Sequence, residues 1–172
     1  MPGCRRREKW QPRERAANEL RGNKMQVKDI MTLDPACCVP EDSLQKAAEL
    51  MVDCDCGEIP VVENTGDCVP VGVITDRDIT CRTVAKGLNP LEMQVSDCMS
   101  TPLVSVTAET NLDECYRMME QNQIRRVPVV DPGGSCIGIV SLADIARNVS
   151  RADSGAILHQ VSEPTASASG VG

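Results

Sequence analysis

The sequence predicts an α+β fold in which two βαββα units follow one another and pack together about a pseudo-two-fold axis. Three observations carry this. The stretch "VGVITDRDI" at 71–79 has an echo, "IGIVSLADI", at 137–145; the echo extends through each half at an offset of 66 to 68 residues; and within each half the apolar pattern changes period in the same order. A repeat of that length is one small domain copied, longer than the units of ordinary solenoids.

The elements follow in order. "VKDIMTLDP" at 27–35 answers "VSDCMSTP" at 95–102 and opens each copy with a short strand. Next, "LQKAAELMV" sets Leu44, Ala47, Ala48 and Met51 at helical spacing behind Glu41, Asp42 and Ser43, an acidic and capped start. Its counterpart "NLDECYRMM" lies in a helix predicted over 110–122. "IPVVE" and "VPVGVIT" are β-branched runs joined by "NTGD", whose residues suit a tight turn, so they predict a hairpin; "DPGGS" sits at the turn of the second one. From Asp76 the pattern turns helical through "DRDITCRTVAKGL", with acids in its first turn, a Lys in its last and Gly87 as the stop. In the second copy the matching helix opens near Leu142. One such unit cannot bury its own sheet face, so the two copies are expected to cover each other. The expected domains are residues 25–87 and 88–150, after a flexible basic extension (1–24) and before a tail (151–172) with one short helix through Ile157 and Val161.

Composition excludes several functions. There is no Phe, and Trp10 and Tyr116 are the only aromatic residues, so a base-stacking platform is missing. The net charge of -7 is uneven: residues 1–24 hold eight Lys/Arg against three Asp/Glu, and the remainder ten against 22. An acidic body repels phosphate backbones, so nucleic acid is not an expected partner. The basic arm reads as a solvated tail, an upstream extension of the patterned region that Met25 opens. No apolar run approaches the ~18 residues of a membrane span, and none forms a signal-peptide core, which predicts a cytoplasmic protein with no membrane partner. Thiols stay reduced there, so Cys37, Cys38, Cys68, Cys98, Cys115 and Cys136 read as small buried hydrophobes. "CDC" at Cys54 and Cys56 is open to a redox or ligating role. Its spacing is not CxxC and His159 is the only His, so no metal site is predicted. One His, no nucleophile motif and no phosphate-binding loop leave little for an enzyme to work with.

The candidate site residues are Thr75 with Asp78, and Ser141 with Asp144: a hydroxyl residue followed three places later by an acid at a helix start. Two meanings stay open. The pair is an N-cap with a favourable charge, or it offers a carboxylate that accepts from two vicinal hydroxyls beside helix N–H groups free for phosphate.

The Asp-Ile-Met-Thr opening, the apolar-Pro-Val-Val strand and the Gly-apolar-apolar-Thr/Ser-x-x-Asp close recur in order, twice, over about residues 25–149. In this the chain resembles the CBS domain, the unit named after cystathionine beta-synthase, and its tandem form, the Bateman module. The resemblance implies a regulatory sensor of an adenosine compound, with AMP, ADP or ATP as first candidates, NAD and S-adenosylmethionine behind them, and no required cofactor. Asp78 and Asp144 would hold ribose hydroxyls, and Thr75 and Ser141 would add a hydrogen bond. Thr32, Pro35, Ile59, Pro60, Val127 and Pro128 would enclose adenine. Arg125 or Arg126, helped by Arg77 or Arg147, would meet phosphate, a solvated helix end being the alternative for these arginines. Copy one has Gly57 and Glu58 where copy two has Arg125 and Arg126, so one basic cleft is expected and one that suits a neutral or singly charged ligand, or none. Leu142 and Ala143 replace Asp76 and Arg77, so Thr75 and Asp78 read as the better-kept pair. The resemblance also implies a homodimer and an unknown regulated protein. Leu44, Ala48, Met51, Cys115, Met118 and Met119 are candidates for the dimer face, with core as the other reading. The competing function is an assembly or thiol-redox module that binds no nucleotide and acts through dimerisation and thiols such as Cys54 and Cys56.

Overall fold

A computed structural model describes residues 25–148; the basic arm and the tail, with the flexibility and the short helix expected of them, lie outside the described residues. The first copy runs through β1 (Thr32–Leu33), α1 (Leu44–Asp53), β2 (Glu58–Val62), β3 (Pro70–Thr75) and α2 (Asp76–Arg82). The second runs through β4 (Val106–Thr107), α3 (Leu112–Asn122), β5 (Arg126–Val130), β6 (Cys136–Ser141) and α4 (Leu142–Asn148). No described helix is long and apolar enough to cross a membrane.

Local chemistry explains the boundaries. Ser43 caps α1 by accepting from the Lys46 N–H at 3.1 Å, and the helix turns Leu44, Ala47 and Met51 inward. In the first hairpin Asn64 Oδ1 accepts from the Gly66 and Asp67 N–H groups, both at 2.9 Å; in the second Asp131 Oδ1 accepts from Gly133 and Ser135. The helix after β3 is shorter than predicted. It ends at Arg82 because Thr83, fully buried, bends its hydroxyl back onto the Ile79 carbonyl, and a separate 3-10 turn over Val84–Lys86 is what Gly87 closes at φ +72°.

Each hairpin lies over its own helix, and the two copies are joined crosswise. β1 of the first copy pairs antiparallel with β6 of the second, Thr32 opposite Ile139 and Leu33 opposite Gly138. Symmetrically, Ser100 bridges Val73 on β3. The turns just upstream cross as well. Val27 and Lys28 donate to the carbonyls of Thr110 and Ala108 at 2.9 Å, while Val95 and Ser96 donate to those of Asp42 and Pro40 at 2.8 and 2.9 Å. Val27 therefore belongs to the core of Val106, Leu112, Met119, Val127 and Ile145, and Val95 and Cys98 belong to that of Leu44, Ala47, Ile59 and Ile74. The segment that opens each copy completes the core of the other, so the cores do not divide at residue 87. All five residues of β2 are buried, on both sheet faces.

Two expectations are corrected. Leu44, Met51, Cys115 and Met119 fill the cores and cannot line a dimer face; Ala48 and Met118 are half-buried. Of the cysteines expected to be buried, Cys38, Cys98 and Cys115 are, whereas Cys37, Cys68 and Cys136 are half-exposed where the two copies meet. Burial pushes the Cys38 thiol up to about 12 and the Cys115 thiol up to about 11, so both behave as inert apolar groups.

Candidate functional site

Both Thr/Ser-x-x-Asp pairs form a reciprocal box at the strand-to-helix corner. In the first, Asp78 Oδ2 accepts from the Thr75 hydroxyl at 2.7 Å and the Thr75 N–H at 3.1 Å, and Thr75 Oγ1 accepts from the Asp78 N–H at 3.0 Å. In the second, Asp144 Oδ2 accepts from the Ser141 hydroxyl at 2.5 Å and N–H at 2.9 Å, with the Asp144 N–H returned to Ser141 at 3.1 Å. The cap reading is therefore realised in both copies.

The second carboxylate oxygen separates them. Asp78 Oδ1 takes the Ser100 hydroxyl at 3.2 Å and the Arg82 guanidinium at 3.1 Å. Arg82 is itself held by the carbonyls of Cys98 and Met99 at 2.9 and 2.8 Å and by Ser100 Oγ at 2.8 Å. Asp78 thus serves as a clasp between α2 and the opening segment of the other copy. Among the described residues Asp144 Oδ1 is met by Arg147 alone, at 3.7 Å, with the arginine side chain 68% exposed. The pair that looked better kept in sequence is the one already saturated. Arg82 and Ser100 were missed by sequence reasoning; the four-residue step from Asp78 to Arg82 was the available signal.

The remaining candidates divide by face. Ile59 and Val127 are core side chains at 1% and 0% exposure, so only their backbone can meet a ligand. Glu58 and Pro60 lie on the other face of β2, and Arg126 and Pro128 on that of β5. Glu58 pairs with Thr75 across its hairpin and Arg126 with Ser141 across the other, so the two charges occupy equivalent places and feel each other. Thr32 is exposed on β1, and Pro35 follows it half-buried; the crossing puts both beside β6 and not beside Thr75. Arg77 and Arg125 are exposed, and the Arg125 carbonyl accepts from the Leu142 N–H at 2.9 Å. The N–H groups expected to be free for phosphate in the first copy are taken: Asp76 donates to the Gly57 carbonyl, Arg77 to Asp76 Oδ1 and Asp78 to Thr75. The acid at Asp76, absent in the second copy, is what occupies the middle one.

The CBS domain model matches residues 27–82 and 95–151. The chain belongs to the CBS domain family. It is 42% identical over 137 residues, 79% of this chain and 94% of the relative, to the CBS domain-containing protein YhcV of Bacillus subtilis. Among solved structures, the CBS domain pair of MJ0100 in complex with 5'-methylthioadenosine and S-adenosylmethionine is similar at a TM-score of 0.64 and 27% identity, covering 72% of this chain and 98% of that one. CBSX2 in complex with AMP is similar at 0.62 and 28%, covering 71% and 94%. The tandem α+β CBS pair is thus shown, and proteins of its shape hold adenosine ligands.

Proposed function

We propose that this CBS pair is a regulatory module that binds an adenosine-containing ligand, AMP-, ADP- or ATP-like, chiefly in the cleft at Ser141 and Asp144, and signals occupancy to another protein. The observation that carries this is the asymmetry of the two carboxylates. A ribose at Asp78 would have to displace Arg82 and Ser100, each bound elsewhere as well, whereas Asp144 has an oxygen to give and Arg125, Arg126 and Arg147 in the neighbouring sequence positions and strand pairs to meet phosphate. The structures with AMP, S-adenosylmethionine and 5'-methylthioadenosine support the ligand class. In both pairs the hydroxyl and one carboxylate oxygen are engaged in capping their own helix, which supports a regulatory over a catalytic role.

Thermal shift with millimolar AMP, ATP and S-adenosylmethionine tests it. At least one is expected to raise the melting temperature, Asp144→Ala to abolish the rise, and Asp78→Ala to lower the starting temperature while keeping the rise. Loss of the rise in Asp78→Ala alone would overturn the choice of cleft, and no rise with any of the three would overturn the reading.

The chain is also proposed to form a homodimer through the outer face of α1. Val52 is 80% exposed there beside Ala48, an apolar side chain that water would otherwise cover. Val52→Glu is expected to shift the mass measured by light scattering from dimer to monomer; a wild-type monomer counts against the assignment.

A further inference from the structure

Three half-exposed thiols converge from three separate stretches of chain. β1 lies antiparallel on β6, and the Asp34 N–H still bonds the Ile137 carbonyl at 3.2 Å, so the chain from Pro35 to Cys37 runs past the start of β6, where Cys136 stands. Cys68, at the turn of the first hairpin with φ +53°, accepts the Cys136 N–H on its carbonyl at 2.8 Å. The Cys37 thiol donates to the Pro35 carbonyl at 3.4 Å and the Cys136 thiol to that of Gly138 at 3.6 Å, and the two thiols stand near enough for each to shift the other's hold on its proton. Among the described residues the other cysteines offer no such junction: Cys38, Cys98 and Cys115 are buried, Cys81 is exposed on α2, and Cys54 and Cys56 share one turn. Among the described residues no group of three or more His, Cys, Asp and Glu is arranged to hold a metal ion.

We propose that Cys37 and Cys136 form a reversible disulfide that staples the opening segment of the first copy onto the sheet of the second. The two thiols differ in their hold on the proton. The neighbouring Cys136 and burial push the Cys37 thiol up, and the neighbouring Cys37 pulls the Cys136 thiol down, which makes Cys136 the attacking sulfur. The oxidant is a low-molecular-weight disulfide of the glutathione class. The Cys136 thiolate attacks one of its sulfurs, the S–S bond breaks, and one thiolate leaves and takes up a proton. Cys37, losing its proton to solvent, attacks the Cys136 sulfur of the mixed disulfide and expels the second thiol. Two cysteine thiols are oxidised by two electrons, and the small disulfide is reduced to two thiols.

The staple closes a long loop of chain, and it fixes Thr32 and Pro35 against β6, the strand that ends at Ser141. Oxidation state then controls the shape of the proposed ligand cleft. That consequence rests on the function proposed above, whereas the disulfide itself does not.

The test treats the full-length protein with oxidised or reduced glutathione, alkylates the remaining thiols and maps the digested peptides by mass spectrometry. A peptide joining Cys37 to Cys136 is expected after oxidation, short of two hydrogens, lost on adding dithiothreitol, lost in Cys37→Ser and in Cys136→Ser, and retained in Cys68→Ser. Brief alkylation of the reduced protein is expected to label Cys136 before Cys37. Recovery of Cys37 joined to Cys68, or of both Cys37 and Cys136 fully alkylated after oxidation, would overturn the proposal. Nucleotide-dependent thermal shift of the oxidised protein is read separately: an unchanged shift removes the link to the cleft and leaves the disulfide standing.

Discussion

Gly72→Ala is expected to lower the unfolding free energy by about 2 kcal/mol, and to do so more than the equivalent Gly138→Ala. A Cβ at residue 72 would stand 2.8 Å from the Ser100 carbonyl oxygen and 3.2 Å from Thr101 Cγ2. That carbonyl has little freedom, because it accepts the Val73 N–H at 3.2 Å while the Ser100 N–H donates to Val73 at 2.7 Å. Making room means prying apart the bridge between the copies, and with it the Ser100 contact to Asp78. At Gly138 the nearest atom is Met31 Sδ at 2.9 Å, on a flexible side chain that can turn away, with the Thr32 carbonyl next at 3.1 Å. The entropy an alanine removes from the unfolded chain, about 0.4–1 kcal/mol, offsets much of the milder case. Urea titration of both variants decides it; equal losses would mean that the two crossings are equally soft.

The same crossing marks the limit of what the sequence could say. Both hairpins and both hydroxyl-to-acid boxes were legible because each is written in one short stretch, in periodicity, turn residues and caps, and the repeat was legible because those stretches recur at a near-constant offset. The exchange of opening segments was not, because Val27 meeting Thr110 and Ser100 meeting Val73 leave no mark on local pattern. The state of Asp78 was hidden for the same reason: its neighbours Arg77 and Asp76 looked like site charges, while the residues that hold its second oxygen are Arg82 and, 22 positions away, Ser100. Helical spacing showed that α1 and α3 each have an apolar stripe but not what covers it; the stripe of Leu44, Met51, Cys115 and Met119 proved to be core, and Val52, four residues after Ala48 at the edge of that stripe, is exposed. The thiols at Cys37 and Cys136 read as hydrophobes because only the fold brings them together.

Glu58→Gln is expected to stabilise the protein at pH 8 by about 2 kcal/mol and to change little at pH 5. Glu58 is 8% exposed, and its Oε1 is buried with no hydrogen-bond partner among the described residues. Burial pushes its carboxyl up to about 7, against the pull of the Arg126 guanidinium and with a further push from Asp78. Between the ordinary glutamate range and pH 7 the folded chain holds a proton that the unfolded chain has released. Stability from this residue is therefore present at low pH, falls as the pH rises through that window, and stays at its lower level above it. The window spans between two and three units, so the ceiling is about 3 kcal/mol, and water reaching the 8% of Glu58 that stays exposed brings the expectation down to about 2. Glutamine keeps the shape and removes the charge, so it flattens the slope. Urea unfolding at pH 5 and pH 8 measures this, and an effect of equal size at both would sink the idea that a buried proton is the cause. The neighbour gains as well. With Glu58 neutral, the Arg126 charge is no longer countered across the junction of the two copies, and a phosphate-bearing ligand should tighten at pH 8 while adenosine, which has no phosphate, should not.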